Sequence, residues 1–489
     1  MFKKLKELLI RGAYRLNLIK GIKSVTDKVD VSSEHYTTMQ LWKDLYRGYC
    51  KDWHYVEYVT PAGPMNRTMS TLSMPKQVAS KMATLIYNEK CEVNISDDAY
   101  DEYIKGVFAE NKFNREFQTQ LEYGFALGGL IAKGYIEDDK IKLSYVTADC
   151  FVPVTYDLQG RITEAVFINE TQSADKKYTH LEWHLRTTTG YVIKNELYES
   201  QNREELGVKV PLSRLPQYAD LSEEIGIDNI SRPLFEYFKP NIANNFDMNS
   251  PLGISLYANA LSTLRDLDTM YDSFKQEFKL GKKRIMVPTA AIKAVLDPET
   301  GVFKRYFDPK EEVYEAMDMG MDAEMFKDIS MPLRVDEHIS AINAQLKILA
   351  MQIGMSPGTF TFDASGLKTA TEVVSENSET FRTKQSHETM VEAFIGGIVE
   401  IIGILSALTG KYMPPADYEL TVQFDDSIAE DATAEATRQI MMVGAGLQSK
   451  VRAIMKVQGV SWEEAEVILQ EIGGENATAP IEQVDMFGV

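Results

Sequence analysis

The stretch GMSPGTFTFDASGLKTATEVVSENSETFRTKQSHETMVEAFIGGIVEIIGIL, Gly354–Leu405, decides the architecture. One helical pattern ends at Gly354, where glycine suits the C′ position because it takes φ > 0 without strain. Another begins at Thr369. There Thr369-Ala370-Thr371-Glu372 has the form of a capping box: the threonine oxygen accepts from the N3 amide and the glutamate reaches back to the cap amide. Between them Met355–Lys368 is rich in Thr, Ser, Gly and Phe, and Pro357 blocks helix continuation. The order expected is helix, exposed loop, long helix. Val391, Phe394, Ile398, Ile401, Ile402 and Leu405 recur at three- and four-residue spacing and mark one apolar face.

Upstream of Gly354, Ile339, Ile342, Leu346, Leu349 and Ile353 continue the first of these helices back to Pro332. An earlier helix has a start signal at Ser250 as N-cap with Pro251 at N1, where the missing amide hydrogen is no loss. Ile254, Tyr257, Leu261, Leu264, Tyr271, Phe274 and Phe278 form its face and Gly281 is its stop, giving roughly 45 Å at the α-helical rise. The insert between the two helices, 282–331, holds a strand-like Arg284–Val287. A turn at Asp297-Pro298-Glu299-Thr300-Gly301 and a short aromatic run, Phe303–Phe307, follow.

The N-terminal half reads in two parts. Residues 1–128 are expected to be mostly helical, over Met39–Tyr46, Met74–Tyr87 and Tyr100–Phe125, until Gly128-Gly129 breaks the pattern. Six strand-like runs follow: Leu130–Glu137 and Lys140–Val146 around Asp138-Asp139, Cys150–Tyr156 and Arg161–Ile168 around Asp157–Gly160, and Tyr178–Arg186 and Tyr191–Leu197 around Thr189-Gly190. They imply an antiparallel sheet and an α+β class. An extended stretch ends near Phe238-Lys239-Pro240, and Asn241–Asn249 is a polar linker. Beyond about 411 come a strand-like Tyr418–Phe424 and helices over Thr433–Gly444 and Ser449–Val457. A third is capped by Ser461-Trp462-Glu463-Glu464, and an acidic tail, Glu475–Val489, is expected to fray.

The chain has 489 residues, long enough for roughly two to four domains. Its net charge is −20 and its pI near 4.9, which argues against a surface that grips nucleic acid tightly, though not against one that DNA slides past. Cys50, Cys91 and Cys150 are scattered and odd in number, which reads as reduced thiols in a cytosolic setting. Residues 1–28 hold eight Lys/Arg against two acids and are amphipathic without an apolar signal core. A membrane-surface helix or a basic arm on a partner are open readings. The plainer one is a solvated helix packing its Leu/Ile face on its own domain. Val391–Leu408 barely reaches spanning length and contains Glu392 and Glu400, so a buried helix is expected rather than a membrane span.

Several runs imitate chemistry. Gly366-Leu367-Lys368-Thr369 lacks the P-loop form, since Leu367 separates glycine from lysine and Thr361 stands where the first glycine belongs. His180-Leu181-Glu182-Trp183-His184 places its glutamate wrongly for a metalloprotease and lies among strands, so same-face histidines on a sheet are expected. Asp425, Asp426, Glu430 and Asp431 could hold a divalent cation but lack the glycine-centred calcium spacing. A turn and helix start account for them equally. No G-x-S-x-G elbow is present. Lys275, Lys279, Lys282, Lys283 and Arg284 cluster at a helix end, where they either complement its dipole or meet DNA phosphates. The expectation is no catalytic, metal or cofactor residue.

Ser356-Pro357-Gly358-Thr359-Phe360 followed by Gly366-Leu367-Lys368-Thr369-Ala370-Thr371-Glu372-Val373 resembles the segment before and at the start of the long wing helix in portal proteins of tailed bacteriophages. Asn244-Asn245 through Ser250-Pro251-Leu252-Gly253-Ile254-Ser255 to Asp268 resembles the start of the portal stem. The resemblance implies a wing over 1–250, stem helices over 251–281 and 332–354, and a small α/β clip over 282–331. It also implies a tunnel loop over 355–368, the long wing helix over 369–410 and a helical crown with tail over 411–489. Leu261, Leu264, Phe274, Ile342, Leu346 and Leu349 would pack the stem. Thr359, Phe360, Thr361, Phe362, Asp363, Ser365 and Lys368 would line the DNA channel. Phe360 and Phe362 alternate as on an extended strand, and packing on the neighbouring loop is favoured over facing DNA, with both orientations open. The implied assembly is a ring at one capsid vertex of the virion, twelve-fold in particles, formed in the host cytoplasm. Its implied partners are double-stranded DNA, the terminase large subunit, a head-completion or adaptor protein, and major capsid and scaffolding proteins, with no membrane. A soluble nucleotide-binding enzyme and a non-viral multidomain scaffold are the alternatives.

Overall fold

The computed structural model describes residues 32–60, 63–173, 175–188, 190–201, 205–228, 230, 232–281, 285–286, 293–296, 301, 303–306, 327–328, 332–361, 370–425, 432–458, 460 and 462–478. The basic N-terminal segment, the Thr369 and Ser461 caps and most of the acidic tail lie outside them. The chain divides into two compact units, one of Met1–Lys51, Ser73–Leu261 and Leu346–Val489, the other of Asp52–Leu72 and Ser262–Gln345.

In the larger unit, helices at Ser33–Tyr46, Met74–Ile86 and Phe113–Leu127 pack together, with Val78, Met82, Phe117, Leu121 and Phe125 fully buried. Asp97 caps the Asp98–Glu110 helix by accepting from the Tyr100 amide. The single helical run expected over Tyr100–Phe125 is broken at Asn111 and Lys112, the latter at φ 52°. Glu92–Ile95, an alternation of polar and β-branched residues only four residues long, pairs with Leu420–Gln423.

The strand runs fall where alternation and turn chemistry place them. Leu130–Glu137 and Lys140–Thr147 form a hairpin whose turn residues, Asp138 and Asp139, both have positive φ, as a two-residue type I′ turn requires. The six runs do not make one sheet. The first two join Phe235–Phe238 in a three-stranded sheet, and the other four form a separate sheet extended by Val208–Val210 and Glu224–Asp228. The division follows from which edge each strand finds: Phe235–Phe238 covers the open edge of Leu130–Glu137.

The long helix, Ala370–Leu408, lies on the three-stranded sheet. Val391, Phe394, Ile395, Ile398, Val399, Ile401, Ile402 and Leu405 are all at most 2% exposed, each worth about 1.5–3 kcal/mol of burial. Gly134 on the sheet admits the approach: a Cβ there would lie 2.5 Å from Ile401 Cγ2. The segment from Ser378 is long and apolar enough to cross a membrane, but it is a core helix here.

The helix expected from Ser250 starts instead at Leu261, after a 3₁₀ turn over Ala258–Ala260, and ends at Leu280. Its length is therefore roughly 30 Å. Pro251 through Tyr257 is buried irregular chain. The Ser250 oxygen accepts from Leu252 N, a local turn and not a cap. Partners distant in sequence satisfy its backbone. Leu256 N donates to Phe125 O at 3.0 Å, and Gly253 N donates to the Tyr237 hydroxyl at 3.0 Å. That hydroxyl in turn donates to Gly128 O at 3.3 Å. Gly128 and Gly253 touch backbone to backbone, so no side chain fits at either.

Candidate functional site

The helix over Val335–Gln352 ends in a Schellman motif. Gly354 has φ 71°, its amide donates to Met351 O, and Met355 N donates to Ala350 O at 2.8 Å. Met355 and Ser356 are fully buried. Ser356 N donates to Thr380 Oγ1 at 2.8 Å, and the two hydroxyls bond at 3.0 Å, which fastens the start of the loop to the long helix. Pro357–Phe360 then forms a 3₁₀ turn closed by Thr359 Oγ1 donating to Ser356 O. Phe360 therefore does not lie on an extended strand. It is half-buried on a turn, because proline at the first helical position is preset for helical φ. Thr361 returns to extended geometry. Phe362, Asp363, Ser365 and Lys368, with the Gly366–Thr369 run, lie outside the described residues.

Below this turn the long helix carries polar groups at core positions. Lys384 and Glu388 form a buried ion pair at 2.6 Å. His387 is 1% exposed, packs on Phe125, and accepts from Asn241 N at its Nδ1. The Asn241 amide also donates to Ser386. The polar linker is thus docked on the helix. Burial pushes the His387 imidazole down to about 4 from 6.5. Burial pushes His35 down to about 4 as well, partly offset by Asp247. Unfolded histidines take up protons below about pH 6.5, whereas these refuse them until about 4. Stability is therefore complete above pH 6.5 and falls as pH drops through that window, by about 3 kcal/mol for each group. Urea midpoints should fall clearly between pH 7.5 and 5. His387→Gln, which keeps an acceptor for Asn241, should flatten the acid limb, and midpoints independent of pH across this range would refute the assignment.

In the smaller unit a hairpin, Tyr55–Thr60 with Gly63–Thr68, is tied to the Leu261–Leu280 helix. Arg67 binds Asp272 through both guanidinium nitrogens at 2.8 and 2.6 Å, and Ser70 N donates to Asp272 Oδ1. Asp268 accepts from Leu72 N and meets His54 Nε2 at 3.0 Å. Burial pushes the Asp272 carboxyl up, but the Arg67 and Ser70 hydrogen bonds outweigh it and hold it below its usual value. The sequence carried a signal for this anchor: two acids four apart beside Leu264 and Leu267 on the buried face of a helix need partners. The hairpin, which the expectation of a mostly helical 1–128 missed, also had a local signal: Tyr55-Val56-Glu57-Tyr58-Val59-Thr60 is rich in strand formers and Pro61-Ala62-Gly63 is turn chemistry.

The helix-end cations are dispersed in role. Lys275 donates to Ser70 Oγ, Lys279 is exposed, and Lys282, Lys283 and Arg284 lie outside the described residues. Of the apolar residues on these helices, Leu264, Ile342, Leu346 and Leu349 are at most 3% exposed, while Leu261 and Phe274 are half-buried. In the insert, Ile285–Met286 pairs with Lys327–Asp328 and Lys293–Leu296 with Phe303–Tyr306.

His180, Glu182 and His184 do share one face of a strand, and each is bound within the fold. His180 meets Asn195 and stacks on Tyr218. His184 bridges Glu182 and Tyr191 at 2.8 and 2.6 Å, and Lys133 donates to Glu182 at 2.6 Å. Burial pushes Glu182 up, but His184 and Lys133 outweigh it and leave the carboxyl strongly depressed. Asp425 accepts from Asn88 and pairs with Lys90, whereas Asp426, Glu430 and Asp431 lie outside the described residues. Among the described residues no group of three or more metal-ligating side chains converges.

Residues 27–478 match the family model described as phage portal protein, SPP1 Gp6-like. No curated protein matches the chain. Among solved structures, the neck of a native GTA particle computed with C12 symmetry aligns with a TM-score of 0.42 at 11% identity, covering 78% of this chain and 89% of that one.

Proposed function

Since the chain belongs to the phage portal protein family, SPP1 Gp6-like, we propose that it forms the ring at one capsid vertex through which double-stranded DNA enters and leaves the virion. The observation that carries this is the extent of the family match, 27–478, which takes in both helices, the insert between them and the long helix. In this reading 1–250 is the wing, 251–281 and 332–354 supply the stem, and 282–331 is the clip. The segment 355–368 is the tunnel loop, 369–410 the long wing helix and 411–489 the crown. The ring is twelve-fold in the capsid. It receives DNA from the terminase motor, assembles with capsid and scaffolding proteins, and later docks an adaptor.

The family is structural and not enzymatic. A net charge of −20 supports a wall that does not hold DNA by counterion release. Light scattering and negative-stain images of the purified chain test the reading: large closed rings support it, and a stable monomer or dimer refutes it. Isolated rings should hydrolyse no ATP, and nucleotide binding that depends on Lys368 would contradict the structural role.

The loop gives a second expectation. Ser356 is locked to Thr380, so the anchor precedes the part that would face the channel. Shortening Thr359–Ser365 should leave ring assembly intact and impair packaging or retention of DNA. Packaged length in assembled particles is the measurement, and full-length, stably held genomes at wild-type yield would remove this loop from the channel.

A further inference from the structure

The groove beneath the Gly354 turn is composed unlike the chain around it. It has a volume of about 310 Å³, and its lining includes Asn259, Gln352, Arg382, Thr383 and His387. Among the described residues no carboxylate lines it, in a protein with 72 acidic residues against 52 basic ones. Arg382 is exposed and, among the described residues, has no carboxylate partner. The Asn259 carbonyl already accepts from Asn245 at 2.9 Å, so its amide group is left to donate. Neutral His387 accepts at Nδ1 from Asn241 N and therefore carries its proton on Nε2. With the Thr383 hydroxyl and the Gln352 amide, the lining offers an excess of hydrogen-bond donors around one guanidinium.

We infer that this groove is a phosphate oxyanion site, occupied by the backbone of the DNA, with Arg382 as the cation that holds it. The inference rests on the conduit reading, because the groove adjoins the segment proposed to line the channel. A guanidinium matches two phosphate oxygens in a planar fork, and amide and hydroxyl donors take the remaining lone pairs. A lining without carboxylates removes locally the repulsion that the net charge otherwise imposes. One cation per copy makes each contact weak and independent of sequence, which suits DNA that must keep moving.

The test titrates assembled protein with labelled duplex DNA over a series of salt concentrations. Arg382→Ala should bind more weakly, and the slope of log affinity against log salt should shrink by about 0.9 for each phosphate that is no longer neutralised. Arg382→Lys should keep the slope and lose part of the affinity, since a point charge lacks the fork. Inorganic phosphate, followed by phosphorus NMR line broadening, should bind the wild type and not Arg382→Ala. Unchanged duplex affinity and slope in intact Arg382→Ala assemblies overturn the site. Phosphate binding without duplex binding overturns the nucleic-acid source. Loss of assembly in Arg382→Ala, restored by Arg382→Lys, also overturns it, in favour of a carboxylate from a neighbouring copy. A wild type that never forms rings defeats the conduit reading instead, and the phosphate titration still reads Arg382 by itself.

Discussion

Gly128→Ala costs the larger unit a sizeable part of its stability, whereas Gly160→Ala costs little more than its backbone strain. Both glycines have left-handed backbone, φ 79° and 76°, and for alanine that conformation costs about 1–2 kcal/mol. They differ in surroundings. A Cβ at Gly160 meets nothing within 4 Å, while one at Gly128 would lie 2.5 Å from the Ile254 carbonyl carbon and 2.8 Å from Ser255 N. Those atoms are backbone and cannot swing aside, so relief requires lifting Pro251–Tyr257 out of its bed. The Leu256–Phe125, Gly253–Tyr237 and Tyr237–Gly128 hydrogen bonds would be disturbed together. Overpacking adds about 1–3 kcal/mol or more, against the roughly 5–15 kcal/mol that holds a typical domain. Urea midpoints of the two variants measure the steric part by difference, and equal midpoints would mean that the Gly128 clash is relieved without cost.

Leu346→Asp should fail to fold, and Ile348→Asp should fold and fail to assemble. The two positions lie on opposite faces of one helix, Leu346 at 1% exposure and Ile348 at 40%. Truncating a buried leucine costs about 2–5 kcal/mol, and burying a carboxylate with no partner adds several more. A missing ring in Leu346→Asp therefore says nothing about subunit interfaces. Ile348, with Met351 at 61% exposure, is the apolar surface that a ring would cover. A charge there changes monomer stability by about 0.5 kcal/mol or less but would be desolvated between subunits. Circular dichroism and light scattering on both variants separate the outcomes. Native-like Leu346→Asp would refute the burial argument, and normal rings from Ile348→Asp would exclude this face from the assembly.

Elements whose signal is short in range were legible along the chain. The Gly354 stop is a Schellman turn because only a residue tolerant of φ 71° permits it. The Asp138-Asp139 hairpin and the buried stripe from Val391 to Leu405 follow from turn chemistry and from helical spacing. The family resemblance, carried by the residues around Pro357 and Pro251, pointed to the family that the match over 27–478 establishes. Long-range pairing settled the rest: Ser250–Tyr257 is not helix, the strand runs form two sheets, and the strand Gly63–Thr68 is fastened through Arg67 to Asp272. Ser-Pro before an apolar run is a sound helix start in isolation. Here the amides of Gly253 and Leu256 find their acceptors at Tyr237 and Phe125. A pattern read along the chain sees the donors, but the acceptors that outcompete the helix are brought alongside only by folding.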